Sequence, residues 1–200
     1  MIETLDTFDK ELLLWLNGFH TPFWDTIMWW FSSAPFWIPF YLILLFVILK
    51  SINKNWPQQN YKQWVGVIVS ISVAILLADQ ISSGFFKPFF ERLRPSHSPG
   101  LEGLVHLLTD PNGNIYKGGM YGFVSSHAAN SFAIAIFSGY LIKTKNAWIG
   151  LILWASLVSY SRIYLGVHYP GDIIGGAIIG ILSGFVAARL YFFIEEKWVS

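Results

Sequence analysis

The chain has 200 residues, of which 54% are hydrophobic and 12% are charged, and its formal net charge is +1. Soluble domains carry about twice that fraction of charged residues, so the composition excludes an ordinary soluble domain and indicates an integral membrane protein. The near-neutral charge argues against nucleic-acid binding, and the absence of cysteine excludes disulfides and thiolate metal sites.

The chain begins with an amphipathic pattern. In residues 2–19, apolar residues recur at helical spacing with charged residues between them, which predicts a helix lying in the membrane surface. No cleavable signal peptide is expected, because the first ten residues are acidic and lack the basic-then-apolar pattern of a secretory signal. The aromatic stretch 23–31 is too short to span a bilayer alone and predicts an interfacial helix or the beginning of a longer one.

Five apolar segments follow, and they predict an all-α, polytopic membrane helix bundle of five or six membrane helices plus the N-terminal amphipathic helix. The predicted spans are residues 35–49, 64–86, 123–142, 147–165 and 172–193. The chain is expected to form one domain, residues 1–200, with a motif-bearing core at about 64–193. In the last span, Gly176, Gly180 and Gly184 form a stripe that lets two helices approach closely, unless the helix is merely flexible.

The distribution of basic residues predicts the orientation. Three groups fall on one side if there are five spans: Lys50, Lys54 and Lys62; Lys143 and Lys145; Arg189 and Lys197. The positive-inside rule makes that side cytoplasmic, so residues 87–121 and 162–172 are expected on the opposite side.

Residues 161–172 concentrate Arg162, His168 and Asp172 between two apolar runs. Charged groups at a membrane boundary are costly and usually mark function, although an ion pair capping a helix is the plainer alternative. A helix beginning at Pro170 places His168 close to Asp172, so the carboxylate can hold the Nδ1 proton and leave Nε2 free to attack. The planar fork of Arg162 suits a phosphoryl group.

Two further segments contribute polar residues. Lys87 and Arg94 are seven residues apart, but Pro88 makes unbroken helix through both doubtful. The third span opens with Ser125, Ser126 and His127. Free backbone amides at a helix start favour an anion, and the three cations suit a charged phosphoryl transition state. Two histidines supply a nucleophile and a proton donor.

No metal or other cofactor is expected. Nothing in the sequence resembles a carboxylate cage for magnesium or calcium. His127 and His168 could together bind a transition metal, but a third ligand is not obvious.

These segments resemble the signature of the type-2 phosphatidic acid phosphatase superfamily of membrane lipid phosphatases. The signature reads Lys-x6-Arg-Pro, then Pro-Ser-Gly-His, then Ser-Arg-x5-His-x3-Asp. Residues 87–95 and 161–172 match the first and third parts fully. The second part matches at Ser125 and His127, while Val124 and Ser126 replace its proline and glycine.

The resemblance implies roles for these side chains. His168 would be the phosphoryl-accepting nucleophile, Asp172 would orient it, and His127 would be the general acid. The phosphoryl oxygens would be held by Lys87, Arg94, Ser125 and Arg162, and Ser126 could add its amide or hydroxyl. No metal would be needed.

Several other polar residues are not expected to take part in catalysis. Asp79 is predicted to be a buried hydrogen-bonding or ion-pairing group, and Glu91 with Arg92 a local pair, although Arg92 could meet a lipid head group. The histidines His20, His97 and His106 are expected at an interface, in solvent or at the rim.

The expected function is metal-independent hydrolysis of a lipid phosphate or diphosphate through a phosphohistidine. The expected setting is a bacterial inner membrane, with the site facing the periplasm or exterior and with membrane lipids around the protein. Undecaprenyl diphosphate is the first substrate hypothesis; phosphatidylglycerol phosphate, phosphatidic acid and a lipid A phosphate are alternatives. A lipid phosphotransferase and a non-catalytic anion-binding or transport protein also stay open, as does the oligomeric state. The apolar spans exclude a soluble halide-oxidising enzyme with similar motifs.

Overall fold

The structure is a computed structural model that describes residues 2–53, 61–110 and 112–199. The described chain is helical, and within it the only β-type pairings are isolated bridges, such as that between Leu93 and Tyr121. The helices are α1 (Ile2–Asn17), α2 (Pro22–Ser32), α3 (Ile38–Ile52), α4 (Tyr61–Asp79), α5 (Lys87–Phe90), α6 (Ser126–Ile142), α7 (Lys145–Tyr164) and α8 (Pro170–Ile194). This confirms the all-α prediction.

The aromatic stretch forms its own helix, α2. Thr21 caps it by accepting a hydrogen bond from the backbone amide of Trp24, and Pro22 occupies the first turn, where its missing N–H costs nothing. A 3-10 turn, Ala34–Trp37, with Pro35 near its start, then separates α2 from α3. The stretch is therefore a separate helix and not the beginning of α3.

The segment that follows α4 carries the chain past Pro88. A π-helical stretch, Gln80–Phe86, joins α4 to α5. The helix ends at Glu91, whose φ of 46° lies in the left-handed region. Lys87 and Arg94 therefore do not share one helix, as expected from Pro88. The helix ends at Glu91, however, three residues after the proline.

Helix α6 lies at the centre of the bundle and packs against α4, α7 and α8. Its contact with α8 runs along the glycine stripe. A Cβ placed on Gly180 would collide with the carbonyl oxygen of Ala129, and one on Gly184 would lie 2.5 Å from that of Ala133. The stripe is a close helix–helix contact, and the alternative of a merely flexible helix is wrong.

Three helical segments are long and apolar enough to cross a membrane: Ala34–Ile52, Tyr61–Phe90 and Pro170–Trp198. Their outer faces carry exposed large apolar side chains such as Phe46, Leu76 and Leu182, as a lipid-facing surface requires. The count of five or six spans stays a prediction, since it depends on the central helices α6 and α7. Lys54, one of the orienting lysines, lies outside the described residues.

The loop between α5 and α6 folds back along the first motif. The amide of Arg94 donates to the carbonyl of Met120 at 3.0 Å, and the amide of Gly122 donates to the carbonyl of Arg92 at 2.8 Å. These bonds align the end of the loop beside residues 92–94. Residues 92–94, at the start of the loop, are thus joined to residues 120–122, just before α6 begins.

Candidate active site

His168 and Asp172 form a buried pair at the start of α8. Nδ1 of His168 lies 3.1 Å from Oδ2 of Asp172, and the two side chains are 1% and 0% exposed. The same carboxylate oxygen accepts a hydrogen bond from the backbone amide of Tyr169 at 3.1 Å. The helix that begins at Pro170 brings the two residues together, as the four-residue spacing predicts.

The imidazole of His168 is held in its neutral form. Burial lowers the pKa of His168 well below the usual 6.5. The positive charges of Arg94, Arg162 and Lys87 lower this pKa further. With Nδ1 facing a carboxylate, the tautomer that carries its proton on Nδ1 leaves a free electron pair on Nε2.

Lys87 joins the first motif to the second. Its Nζ donates to Ser126 Oγ at 2.7 Å and to Ser83 Oγ at 3.1 Å, and the two hydroxyls lie 2.7 Å apart. Ser83 also donates to Asp79 at 3.4 Å, so Asp79 is a hydrogen-bonding residue, as expected. Ser83 was not singled out in the sequence, although it precedes Lys87 by one helical turn.

The two motif arginines carry unused hydrogen-bond donors. Arg94 Nε donates to the carbonyl of Tyr121 at 3.1 Å, and Arg162 contacts the hydroxyls of Ser32 and Tyr116. Within the described ranges, Arg94 Nη1 and Arg162 Nε are buried without a partner. A buried unpaired donor is costly, so both groups are suited to receive an anion.

The two guanidinium groups also lie near each other. Burial lowers the pKa of Arg94, and the charge of Arg162 lowers it further. Gly118, with φ of +67°, lies against Arg94, and a Cβ there would be 2.5 Å from Arg94 Nη1. Two cations crowded in a buried site repel each other, and a bound anion would relieve that repulsion.

The start of α6 carries the remaining motif residues. Ser125 caps the helix, since its buried Oγ accepts from the amide of Ala128 at 3.4 Å, and its own amide donates to the carbonyl of Asp172 at 3.0 Å. His127 is half-buried and lies at one end of an apolar cavity of about 440 Å³. The cavity continues between α3, α4, α6 and α7, where its lining includes Tyr41, Leu45, Ile75, Ile134 and Val158.

The expected local pair of Glu91 and Arg92 is wrong. Glu91 is exposed and ends the helix in the left-handed conformation. The guanidinium of Arg92 instead reaches Asp6 at 3.0 Å, Asp9 at 2.8 Å and Asp172 at 3.1 Å.

The loop histidines pack against neighbours. His106 stacks on His20, with ring centroids 3.8 Å apart, and its Nε2 lies 3.0 Å from Asp25. His97 Nε2 lies 3.4 Å from the carbonyl of Gly118. His106 therefore joins the loop to the first two helices and is not a solvated residue. In the part of the chain that the structure describes, no three His, Asp or Glu residues are grouped to hold a metal ion.

The helical bundle and its cluster of cations, histidines and a carboxylate are those of a family of membrane enzymes. Residues 64–196 match the model of the PAP2 superfamily, and the chain belongs to that superfamily. It is thus an integral membrane protein of the lipid phosphatase class.

Relatives with two different names align along nearly the whole chain. The lipid A 4'-phosphatase of Bacteroides thetaiotaomicron is 42% identical over 198 residues, which cover 98% of this chain and 81% of that protein. The lipid A 4'-phosphatase of Porphyromonas gingivalis is 32% identical over 194 residues, which cover 96% of this chain and 76% of that protein. A protein of Escherichia coli named putative undecaprenyl-diphosphatase is 27% identical over 192 residues, which cover 93% of this chain and 83% of that protein.

A solved structure has the same fold. The crystal structure of Aquifex aeolicus LpxE is 28% identical, has a TM-score of 0.62 and aligns with 90% of this chain and 93% of that one. The helical bundle is therefore shared along nearly the full length of both proteins.

Proposed function

We propose that the protein removes the 4'-phosphate from lipid A, a phosphate monoester on a sugar, without a metal ion. The observation that carries the proposal is the buried His168–Asp172 pair, next to unpartnered N–H groups of Arg94 and Arg162. Undecaprenyl diphosphate, the first hypothesis from the sequence, is less well supported. Among the relatives that align over nearly the whole chain, two lipid A 4'-phosphatases are 42% and 32% identical, whereas a protein named putative undecaprenyl-diphosphatase is 27% identical.

In the first step, Nε2 of His168 attacks the phosphorus atom and the bond from phosphorus to the sugar oxygen breaks. Asp172 holds the Nδ1 proton and stabilises the positive charge that develops on the imidazole. His127 gives its proton to the departing sugar oxygen, so that the alcohol leaves in neutral form. The product of this step is a phosphohistidine at His168 and a dephosphorylated lipid.

In the second step, water attacks the phosphohistidine. His127, now neutral, takes a proton from the water, the P–N bond breaks, and inorganic phosphate leaves. Lys87, Arg94 and Arg162 surround the phosphoryl oxygens through both steps, supplying the positive charge that stabilises the transition state. The start of α6 lies beside them: the hydroxyl of Ser126 accepts from Lys87, and the amide of Ser125 donates to the carbonyl of Asp172.

The apolar cavity is suited to the lipid part of the substrate. His127 lines one end, and the rest of the wall is mainly apolar, with polar side chains from Ser32, Tyr41, Asn130 and Ser131. A general acid must lie on the side of the leaving group, and in a lipid phosphate that side carries the acyl chains. A chain lying between α3 and α4 would therefore bring the ester oxygen to His127 and the phosphate to the cations.

The substrate assignment is tested with purified protein in detergent and a panel of lipids: lipid A, phosphatidylglycerol phosphate, phosphatidic acid and undecaprenyl diphosphate. We expect the highest kcat/KM for inorganic phosphate release on lipid A, with loss of the 4'-phosphate seen by fragment mass spectrometry. A higher kcat/KM on undecaprenyl diphosphate would reverse the assignment. Labelled phosphate found on a lipid acceptor, not in solution, would indicate a transferase.

We also propose that the site faces the periplasm or the cell exterior, as the basic loops predict. Single cysteines at Gly100 and Lys145 test this, because the natural chain has none and both positions are exposed. A membrane-impermeant thiol reagent should modify Gly100→Cys in cells whose inner membrane is intact. Lys145→Cys should react only after that membrane is broken, and the reversed pattern would place the site in the cytoplasm.

A further inference from the structure

Both carboxylate oxygens of Asp172 have partners, although the side chain is fully buried. Oδ2 faces His168 and the amide of Tyr169. Oδ1 accepts a hydrogen bond from Nη1 of Arg92 at 3.1 Å. The carboxylate that faces the histidine is therefore held on its other oxygen by Arg92, a cation at a variable position of the first motif.

Arg92 is itself held in a fixed place. Its side chain is 25% exposed, and its guanidinium lies 3.9 Å from the ring centroid of Tyr169. The same Nη1 that contacts Asp172 lies 2.8 Å from Oδ2 of Asp9, a residue of α1 whose side chain is 14% exposed. One nitrogen thus joins the N-terminal helix to the buried carboxylate.

Asp9 makes a second contact with the site. Its Oδ1 accepts a hydrogen bond at 2.7 Å from the backbone amide of Gly171, the residue before Asp172. That amide lies in the first turn of α8, where it has no partner within the helix. A Cβ on Gly171 would lie 2.8 Å from Asp9, so glycine permits the close approach. Asp9 therefore fixes both Arg92 and the helix start that carries Asp172.

We propose that Arg92 and Asp9 are positioning residues for the His168–Asp172 pair, so that helix α1 completes the active site. Arg92 holds the carboxylate of Asp172 in the orientation that accepts the Nδ1 proton of His168. Asp9 holds Arg92 and the first turn of α8. Neither residue touches the phosphate, and the inference rests on the proposed role of His168 as nucleophile.

The charge balance around Asp172 supports this division of roles. The positive charges of Lys87, Arg94 and Arg162 act on His168 and lower its pKa. Arg92 binds Asp172 from the opposite oxygen and is neutralised in turn by Asp9 and Asp6. Removal of Arg92 would leave Oδ1 of the buried Asp172 without its hydrogen-bond donor. The carboxylate could then rotate away from the imidazole of His168.

The test compares Arg92→Gln, Arg92→Lys and Asp9→Asn with the control Glu11→Gln. Glu11 lies on α1 like Asp9 and is exposed, and Glu11→Gln removes one negative charge, as Asp9→Asn does. We expect Arg92→Gln to lower kcat by about 10- to 100-fold, as the loss of a supporting hydrogen bond behind a reactive group does, with KM within about twofold. Arg92→Lys should recover part of the loss, and Asp9→Asn should lower kcat by about 3- to 10-fold.

The double variant separates positioning from general loss of structure. If Asp9 acts through Arg92, Arg92→Gln with Asp9→Asn should be no slower than Arg92→Gln alone. Thermal unfolding checks that each variant is folded. The inference is overturned if Arg92→Gln stays within twofold of Glu11→Gln, if the losses multiply, or if the change lies in KM.

A second measurement does not depend on the substrate. In protein with ¹⁵N-labelled histidine, the signals that disappear in His168→Ala belong to His168. We expect wild type and Glu11→Gln to show the tautomer protonated at Nδ1, and Arg92→Gln to show a mixture of tautomers. Unchanged signals in Arg92→Gln would overturn the inference. Absence of phosphatase activity in the wild type would overturn the proposed function only, and these spectra would still decide the role of Arg92.

Discussion

The ammonium group of Lys87 donates a hydrogen bond to the hydroxyl of Ser126, 2.7 Å away, and so links the end of the α4–α5 helix to the start of α6. Ser126 stands where the family motif has glycine. The hydroxyls of Ser126 and Ser83 together hold the ammonium group of Lys87 in place.

Replacing Lys87 by glutamine should lower kcat/KM by about 100-fold or more, because a cation that stabilises the phosphoryl transition state is lost. Ser126→Ala should lower it only by about 2- to 5-fold, since Ser83 still holds the ammonium group. Steady-state phosphate release measures both. A loss in Ser126→Ala as large as that in Lys87→Gln would mean that the hydroxyl, and not the ammonium, binds the substrate.

The pH dependence of stability should report the buried state of His168. Its pKa is well below 6.5 in the folded protein and returns to about 6.5 on unfolding. Between these values the unfolded chain binds a proton that the folded protein does not, so stability falls as the pH is lowered through 6.5. The fall should be smaller in His168→Gln. Melting temperatures at pH 7.5 and 5.5 test this, and equal shifts in both proteins would contradict a neutral His168.

The glycine stripe provides a test of the packing. Gly180→Ala should destabilise the protein by about 1–3 kcal/mol, because the new Cβ would collide with the carbonyl oxygen of Ala129. Gly150→Ala is the matched control, since nothing lies within 4 Å of its Cβ and alanine favours helix. Thermal unfolding in detergent should show a lower melting temperature for the first variant alone. Equal melting temperatures would mean that α6 and α8 are not in close contact.

Substitutions in the wall of the apolar cavity should weaken binding of long-chain lipid phosphates and leave binding of the phosphate group unchanged. Leu45→Trp places a larger side chain in the cavity wall, so the KM for a long-chain lipid phosphate should rise by about 10-fold through lost apolar contact. The control is Ile43→Trp, at a position on the same helix that is 63% exposed. The KM for a short-chain phosphate ester should be nearly unchanged in both Leu45→Trp and Ile43→Trp. A rise in KM for both esters in Leu45→Trp would mean that the substitution disturbs the phosphate site.

The sequence predicted the helices well because each has a strong local signal. The last span was expected at 172–193 and is observed at Pro170–Ile194, while α6 begins at Ser126 and not at residue 123 because Ser125 caps it. The His168–Asp172 pair was also predictable, since the two residues are only four apart, on either side of a helix start signalled by Pro170.

Contacts between distant parts of the chain had no such signal. Arg92 and Asp172 are 80 residues apart, and Arg162 and Ser32 are 130 apart. No periodicity links such residues. The first contact arises only when the segment after α5 reaches the start of α8, and the second only when α2 packs beside α7. The same reason explains why Asp9 and Tyr116 were not among the predicted site residues.

The central claim is that His168 carries the phosphate between the two steps. Rapid alkaline quench of the purified protein during turnover of phosphate-labelled lipid A, followed by peptide mapping, tests it most directly. We predict label on the peptide that contains His168, stable in base and lost in acid, and none in His168→Ala, whose kcat should fall by about 10³-fold or more. Phosphate release within tenfold of wild type in His168→Ala, or label on another residue, would contradict the account.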